Sequence, residues 1–329
     1  MPVDPRALAD HELIEMHDVL TAAADHDHPD APAPSRKDFS ARLVNPWPGS
    51  RLACWLRYDG ERPVGFACVV LPGGANSAVA DLMLAVLPGE RRQGTGRDLL
   101  REAVRLAYST GRTTMVSSAT DDGPAAGFAG AIGAHPARND VHEVLRVQPP
   151  GALDTVGSED YELLRLRGPA PAELLEGIAT VHQGLADAPM GENTWTHQPY
   201  DAARVAAVDA MLEARGLTQL RVLARHRRTG EVVGVTYVIV SRSSPSCSEQ
   251  GGTTVLAAHR GHRLGLAIKM EMLRWLTVDH PEVHELTTWV AEGNAPIRAV
   301  NAQLGYRVIG HWTQWQAPVG TLATTLGLV

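Results

Sequence analysis

Arg91-Arg92-Gln93-Gly94-Thr95-Gly96 brings guanidinium, amide and glycine together in one short turn. The apolar run Ala78–Val86 before it reads as a strand. After it, Leu99, Leu100, Ala103, Val104 and Leu106 recur at helical spacing. The stretch is therefore predicted to be strand, glycine-rich loop, helix N-terminus. The first N–H groups of a helix have no partner within it, and the helix dipole favours negative charge there. Glycine lets a phosphate approach the backbone. The expected chemistry is binding of a phosphate or pyrophosphate. Gly94-Thr95-Gly96-Arg97-Asp98-Leu99 lacks the third glycine of a dinucleotide fingerprint, and no Gly-Lys-Ser/Thr follows, so neither of those nucleotide motifs fits.

Carboxylates near such a loop could move protons. Glu249 lies six residues before Val255, after the serine-rich stretch Ser243–Ser248, and Asp81 lies five before Val86. Asp187, Glu192 and Glu249 could also draw in a cationic amine. Asp25-His26-Asp27-His28-Pro29-Asp30 has metal-ligand residue types, but no second ligand group is evident. It reads as a solvated loop, and no metal site is expected. His197 and Tyr200 read as surface loop residues, with a substrate cleft as the alternative.

The elements that must position these groups run in order. Helices are expected over 6–24 and 36–43, strands over 52–57 and 64–71 around the turn at Gly60, and a strand over 113–118. A small-residue helix over 124–132 closes at Gly133, and a strand covers 141–147. Pro149-Pro150-Gly151 to Ser158 reads as a linker. The pattern then restarts: a strand over 161–166, helices over 172–185 and 202–214 with a loop at 186–192 between them, and a hairpin of 220–224 and 232–240. A strand over 253–256, a helix over 262–276, a strand over 286–290, a helix from Pro296 and a strand over 306–312 follow. Gly60, Gly65, Gly94 and Gly133 match Gly230, Gly234, Gly265 and Gly305 at a nearly constant offset of about 170 residues, the signature of a duplicated domain. The boundaries expected are 1–148, a linker at 149–158, and 159–329.

Composition narrows the class. The 329 residues carry a formal net charge of −7, with 44% hydrophobic and 20% charged residues, ordinary for a globular protein and without the basic excess of a nucleic-acid binder. No run of about 18 apolar residues occurs, and the N-terminus has no apolar signal core, so a soluble cytoplasmic protein with no membrane partner is expected. Cys54, Cys68 and Cys247 form no Cys-x-x-Cys pair. Cys54 and Cys68 lie in strand-like runs and are expected as buried free thiols in a reducing compartment.

Two helices, a hairpin, a strand, a loop, then helix, strand, helix and strand, with the phosphate loop after the fourth strand, resembles the GNAT acyltransferase family. Arg91-Arg92-Gln93-Gly94-Thr95-Gly96 matches the family's pattern of Arg or Gln, two residues, Gly, one residue, Gly or Ala. In the second half, His259-Arg260-Gly261-His262-Arg263-Leu264-Gly265-Leu266-Ala267 keeps Gly265 and Ala267. It reads as two residues longer from Val255, with His262 where Arg or Gln is usual. Asn294 to Gly305-Tyr306 looks like the family's late motif. The tandem arrangement is similar to mycothiol synthase and its actinobacterial relatives. The fold implied is α/β, two tandem GNAT-like domains, each a mixed central sheet flanked by helices.

The resemblance implies acetyl-CoA, or another acyl-CoA, as co-substrate and a small-molecule amine as acceptor, attacking the thioester directly. The co-substrate would lie on Val86, Leu87, Pro88, Arg91, Arg92, Gln93, Gly94, Thr95 and Gly96 in the first half. In the second it would lie on Val255, Leu256, Ala257, His262, Arg263, Leu264, Gly265, Leu266, Ala267 and Asn294. The family's base is commonly a Glu on the fourth strand, which implies Glu249. Its usual acid is a Tyr, and here Asn301 and Ala129 stand at that place, so Asn301 is expected to stabilise the leaving thiolate. Tyr306 falls where the family has a core aromatic. The C-terminal half is the expected catalyst, and the N-terminal half is expected to bind CoA without turnover. A non-catalytic acyl-CoA sensor or scaffold, and an acetyltransferase acting on proteins, stay open as alternatives, as does the oligomeric state.

Overall fold

In the computed structural model, residues 3–28, 34–121, 123–149, 159–184 and 191–329 are described. The expected linker at 149–158 and the loop at 186–192, including Asp187, lie largely outside them. Two compact units emerge: Met1–Asn139 with Met190–Gln198 and His311–Val329, and Asp140–Pro189 with Pro199–Gly310.

The first unit orders its sheet β1 (Arg51–Asp59), β2 (Arg62–Leu71), β3 (Val79–Val86), β4 (Thr114–Thr120) and the C-terminal part of β11 (Arg307–Pro318). β3 and β4 run parallel, and the other neighbours are antiparallel. One face is covered by α1 (Asp10–Asp27) and α2 (Arg36–Val44), whose Leu13, Met16, Val19, Phe39 and Leu43 pack on Cys54, Phe66 and Cys68. The other face carries α3 (Thr95–Ser109), with Leu99, Leu100, Ala103 and Val104 in the core. α3 is strongly amphipathic, so burial of one stripe holds it. A short α4 (Pro124–Ala131) follows β4.

The second unit orders β5 (His135–Arg146), β10 (Glu285–Ala291), β9 (Cys247–Val255), β8 (Val232–Ser241), β7 (Leu217–His226) and β6 (Tyr161–Arg167), with only β9 and β10 parallel. Here α5 (Ala172–Gln183) and α6 (Ala202–Ala214) pack through Ile178, Val181, Val205 and Val208 on the face carrying Leu223, Val235 and Ile239. α7 (Leu264–Asp279) places Leu264, Ile268 and Met272 against Leu145, Val238, Val240 and Leu286 on the other face, and α8 (Ala295–Leu304) follows β10.

The units differ from the expected sequence halves by an exchanged strand. Residues 140–146 of β5 pair antiparallel with β10 in the second unit, and Trp312–Pro318 of β11 pair antiparallel with β4 in the first. Burial explains the exchange: Leu145 lies in the second unit's core. Ala317 lies in the first unit's core with Val319, Leu322 and Ala323 of α9 (Val319–Thr325), a helix the sequence reading did not anticipate. The glycine-rich loop follows the fourth strand of the second half, counted from β6, and the third strand of the first half, where among the described residues only a single bridge, Val3 to Cys54, stands outside β1.

Two further expectations are corrected. The β1–β2 register sets Cys54 directly opposite Cys68, and the two sulfurs form a disulfide, so these are not free thiols and give no support for a reducing compartment. Cys247 is free and exposed. The residues expected in a loop at 25–28 end a helix: α1 continues to Asp27, with His28 as its C-cap.

Candidate active site

In both units the two parallel strands pair only at their beginnings. β3 and β4 pair at Val79–Asp81 with Thr114–Val116, and β9 and β10 pair at Cys247–Glu249 with Glu285–Thr287. Beyond these residues the strands part, leaving a V-shaped opening. An acid sits at each vertex: Asp81, opposite Val116, and Glu249, opposite Thr287. The expected strand over 253–256 therefore starts earlier, at Cys247, and Glu249 is a strand residue, not a loop residue. Ser248, Gly251 and Gly252 hid this, because they weaken the strand pattern.

The two vertices are equivalent despite their unequal distance from the loop. Gly65 pairs with Val86 and Val70 with Asp81 in unbroken register. Gly234 pairs with Val255 and Ile239 with Glu249, but between Thr236 and Val238 the register shifts and β9 carries one extra residue. That bulge accounts for Glu249 lying six residues before its strand end and Asp81 five. Alternation along the strands puts each acid on the face covered by the unit's first two helices. Burial pushes the Asp81 carboxyl up to about 6, and the charge of Arg42 only partly opposes it. Glu249 is exposed.

The loops between each of these strands and the next helix match in length and geometry. From Val86 to Thr95 and from Val255 to Leu264 the connections have the same number of residues, each with one short 3-10 turn. The second loop is not longer, and His262 is not the arginine equivalent. Arg91 donates Nε–H to the Val86 carbonyl oxygen at 3.1 Å, and Arg260 donates Nε–H to that of Val255 at 3.0 Å. Arg260 is thus the counterpart of Arg91, and the sequence reading left it out of the site. The signal available was Arg260 lying five residues after Val255, as Arg91 lies five after Val86.

Left-handed backbone then falls at matched positions: Arg92 (φ 65°) and Gly94 (φ 94°) in the first loop, Gly261 (φ 86°) and Arg263 (φ 57°) in the second. Gly94 corresponds to Arg263, and Gly265 to Gly96. Neither Gly94 nor Arg263 offers a side-chain cap, so the first-turn N–H groups of α3 and α7 stay open to an anion. Gly65 is needed here: a Cβ on it would sit 3.1 Å from Leu99 and 3.3 Å from Thr95 at the start of α3. Arg91 is held further by Asp27, which accepts from both of its terminal nitrogens at 2.8 Å. Burial raises the Asp27 pKa, but hydrogen bonds from Arg91 and His26 outweigh it and leave the carboxyl below the usual range.

The expected co-substrate residues divide by exposure. Arg92, Gln93, Gly94, His262 and Arg263 are exposed, and Arg91, Thr95, Gly96, Leu87, Pro88, Leu256 and Gly265 are half-buried. Leu264, Leu266 and Ala267 bury their side chains in the core, so only their backbone could meet a ligand. Asn294 caps α8 through its backbone, its carbonyl oxygen accepting from Arg298 N–H at 3.2 Å.

Asn301 is placed differently from the expectation. It is 1% exposed, its Oδ1 accepts from Lys269 Nζ at 2.7 Å, and its Nδ2 donates to Glu143 at 2.6 Å. Both ends of the amide are thus committed inside the second unit. Burial pulls the Lys269 pKa down to about 7, against the opposing charge of Glu143. The Tyr306 ring lies 4.7 Å from Lys269 Nζ and is buried, as a core aromatic would be. Glu143 reaches this network because the exchanged β5 carries it there, which no reading of the halves in sequence could foresee.

Around Glu249 the same sheet face gathers aromatic side chains: His182 stacks on Tyr200 at 4.8 Å and stands 5.9 Å from Tyr237, and Trp289 stacks on His142 at 4.1 Å. In the first unit the corresponding face is polar. Asn193 donates to Gln314, the Thr194 hydroxyl and N–H donate to Gln316 Oε1, and Thr196 N–H donates to Asn76 Oδ1 at 2.8 Å. Among the described residues no group of three or more His, Cys, Asp or Glu is placed to hold a metal ion, and no helix is long and apolar enough to cross a membrane.

Comparison with known proteins agrees with this architecture. Residues 13–134 match the acetyltransferase (GNAT) family. The whole chain is similar to a tandem GNAT protein from the clavulanic acid biosynthesis pathway, with 29% identity over 97% of this chain and 98% of that one and a TM-score of 0.81. A GCN5-related N-acetyltransferase from Sphaerobacter thermophilus shares the fold at 16% identity, covering 97% of each chain, with a TM-score of 0.66. A putative acetyltransferase from Pyrococcus horikoshii shares it at 14% identity over 94% of this chain and 87% of that one, with a TM-score of 0.57. No curated protein matches the chain by sequence.

Proposed function

Because the chain carries a GNAT acetyltransferase domain within a tandem GNAT fold, we propose that it transfers an acetyl group from acetyl-CoA to the amine of a small molecule, with the second unit as catalyst. The observation that carries this reading is the pairing, in one unit, of an exposed carboxylate at the vertex of the β9–β10 opening with an open helix N-terminus at the end of β9.

The backbone N–H groups at Arg263–Gly265, with the positive charge of Arg260 and Arg263 nearby, fit a pyrophosphate. The β9 edge that loses its β10 partner beyond Glu249 fits an extended pantetheine arm, and an N–H there would polarise the thioester carbonyl. Glu249 takes a proton from the acceptor ammonium, directly or through one water. The neutral nitrogen attacks the carbonyl carbon, the C–N bond forms, the C–S bond breaks, the nitrogen gives up its second proton to water, and the thiolate takes a proton from solvent. Asn301 acts structurally, bridging Lys269 and Glu143 by hydrogen bonds. The first unit binds CoA through the Arg91 loop, and its polar, hydrogen-bonded face suits it less for an acceptor. A soluble protein working in the cytoplasm fits this co-substrate.

The test is release of free thiol from acetyl-CoA on incubation with a panel of amines, beside calorimetric titration with CoA. Turnover with binding supports the reading. Tight CoA binding with no turnover on any amine would instead favour an acyl-CoA sensor, a reading that the commitment of Asn301 and the lack of a family-type tyrosine support. Turnover only on peptide or protein amines would favour a protein acetyltransferase. Absence of CoA binding would overturn all three.

A further inference from the structure

The second unit buries a lysine where the first unit buries a leucine. Gly96 and Gly265 stand at matched places, so Lys269 corresponds to Leu100, a residue of the first unit's core. Gly133 and Gly305, both left-handed, follow α4 and α8, so Asn301 corresponds to Ala129 and Tyr306 to Ala134. The fold itself therefore accepts apolar residues at all three places. Lys269 is 3% exposed. Its Nζ donates to Asn301 Oδ1 at 2.7 Å, the one hydrogen bond it makes among the described residues, and lies 4.7 Å from the centre of the Tyr306 ring. The Tyr306 hydroxyl is buried and has no hydrogen-bond partner among the described residues. Buried donors without acceptors are costly. An ammonium with two further donors beside an unpaired hydroxyl points to an acceptor that arrives with a ligand.

The place of this network indicates which ligand atom that is; this rests on the acetyltransferase reading above. Glu143, which accepts from Asn301 Nδ2, pairs with Thr288 of β10, and Thr288 directly follows Thr287, the partner of Glu249 at the vertex. Side chains alternate along a strand, so Glu143 points away from the Glu249 face. It shares the opposite face with Leu145, which packs among the core residues of α7. A thioester with its pyrophosphate at the α7 N-terminus and its acyl carbon beside an amine at Glu249 crosses the opening with its sulfur toward α7. We propose that Lys269 is the acid of the second unit, giving its proton to the CoA sulfur as the thioester breaks. The lysine N–H bond breaks as the S–H bond forms, and the neutral amine regains a proton from solvent. The proton that solvent supplies to the thiolate thus passes through Lys269. Asn301 and Glu143 are positioning residues that hold the ammonium. The charged and titratable groups facing it are Glu143 from β5, with Arg298 of α8 3.8 Å from that carboxylate, and Tyr306 before β11. From β7, β8 and β9, Leu220, Val222, Val238 and Val255 pack in the core with α7. Burial outweighs Glu143 and draws Lys269 down to about 7, below the ordinary thiol value of about 8.5, so the transfer runs downhill.

The experiment measures thiol release from acetyl-CoA by the full chain with hydroxylamine as acceptor. Lys269→Met should lower kcat about 100-fold and leave KM for acetyl-CoA within about two-fold. The wild-type rate should fall as pH rises through about 7, where Lys269 loses its proton, and the variant should lack this limb. Lys269→Met leaves Glu143 charged in the core, so a double variant with Glu143→Gln removes both charges together. It should be as slow as the single variant. A double variant within about two-fold of the wild-type rate, or a falling limb that persists, overturns the inference while leaving acetyl transfer standing. Should hydroxylamine not turn over, calorimetric titration in an Arg91→Ala background, where the first unit's CoA site is weakened, decides. CoA binding about three-fold or more tighter than desulfo-CoA, a preference that the double variant loses, supports the inference. Equal affinity for the two, or a preference that the double variant keeps, overturns it. Absence of binding to either overturns the acetyltransferase reading and this inference with it.

Discussion

Asp81 and Glu249 occupy the same place in two copies of one fold: each is the last residue its strand pairs with a parallel neighbour before the two strands part. One extra residue in β9 disguises the match in the sequence. The environments differ, since Asp81 is partly buried beneath the first two helices with its carboxyl pushed up to about 6, whereas Glu249 is exposed beside aromatic rings. The duplication therefore kept the position of a carboxylate and changed what surrounds it.

Glu249→Gln is expected to lower kcat by about 100-fold or more, the usual loss of a general base, while Asp81→Asn leaves turnover within about two-fold. Steady-state thiol release on both variants checks this. A reversed result would move the chemistry to the first unit. There the pH profile would reveal it: a base of pKa about 6 works only when deprotonated, so activity would rise as pH passes upward through about 6.

Arg91 and Arg260 each fasten a glycine-containing loop to the end of the preceding strand. Arg260→Ala should raise KM for acetyl-CoA by roughly ten-fold, about 1.4 kcal/mol, through loss of one charge-assisted anchor. Arg91→Ala should leave that KM nearly unchanged and weaken only a second, non-productive CoA site. Calorimetry separates the two sites.

Arg263 holds a left-handed conformation that Gly94 holds at no steric cost in the first copy. Arg263→Gly should change stability by no more than about 1 kcal/mol in either direction, since relief of strain offsets the added freedom of the unfolded chain. Gly65→Ala should cost roughly 1–3 kcal/mol, because Leu99, Thr95 and the Ala85 carbonyl oxygen close on that position. Urea unfolding of the two variants measures both.

Lys269 titrates at about 7 in the folded protein against an ordinary value of 10.5. The unfolded chain then binds the extra proton between these values, so this group makes the protein more stable as pH rises from about 7 toward 10, by an amount on the order of a few kcal/mol. Below pH 7 the lysine is charged in both states and the slope vanishes. Lys269→Met should flatten the rise. Unfolding midpoints at pH 7, 8 and 9 for both proteins provide the check.

Much of this was legible in residue order. Helical spacing after Gly96, the turn at Gly60 and its copy at Gly230, and the late Asn294–Tyr306 stretch mark elements that form where expected, because local periodicity and turn chemistry act over a few residues. Glu249 was found but placed in a loop, since serine and glycine do not look like a strand until a neighbouring strand pairs with them. The glycine match of Gly94 to Gly265 was two residues out of register, because Arg263 adopts a glycine-like backbone that residue type conceals.

The sequence by itself determined that a glycine-containing turn between a strand and a helix occurs twice, that the copies are α/β, and that an acid lies a few residues before each turn. The tertiary structure alone decided which strand joins which unit, because β5 and β11 are held by burial of Leu145 and Ala317 in cores built from residues far away in the chain. It alone also decided the fate of Asn301: Glu143, 158 residues away, arrives on the exchanged strand and takes the amide into a buried network. Contacts of that separation carry no local signal; the chain reveals them only when it folds.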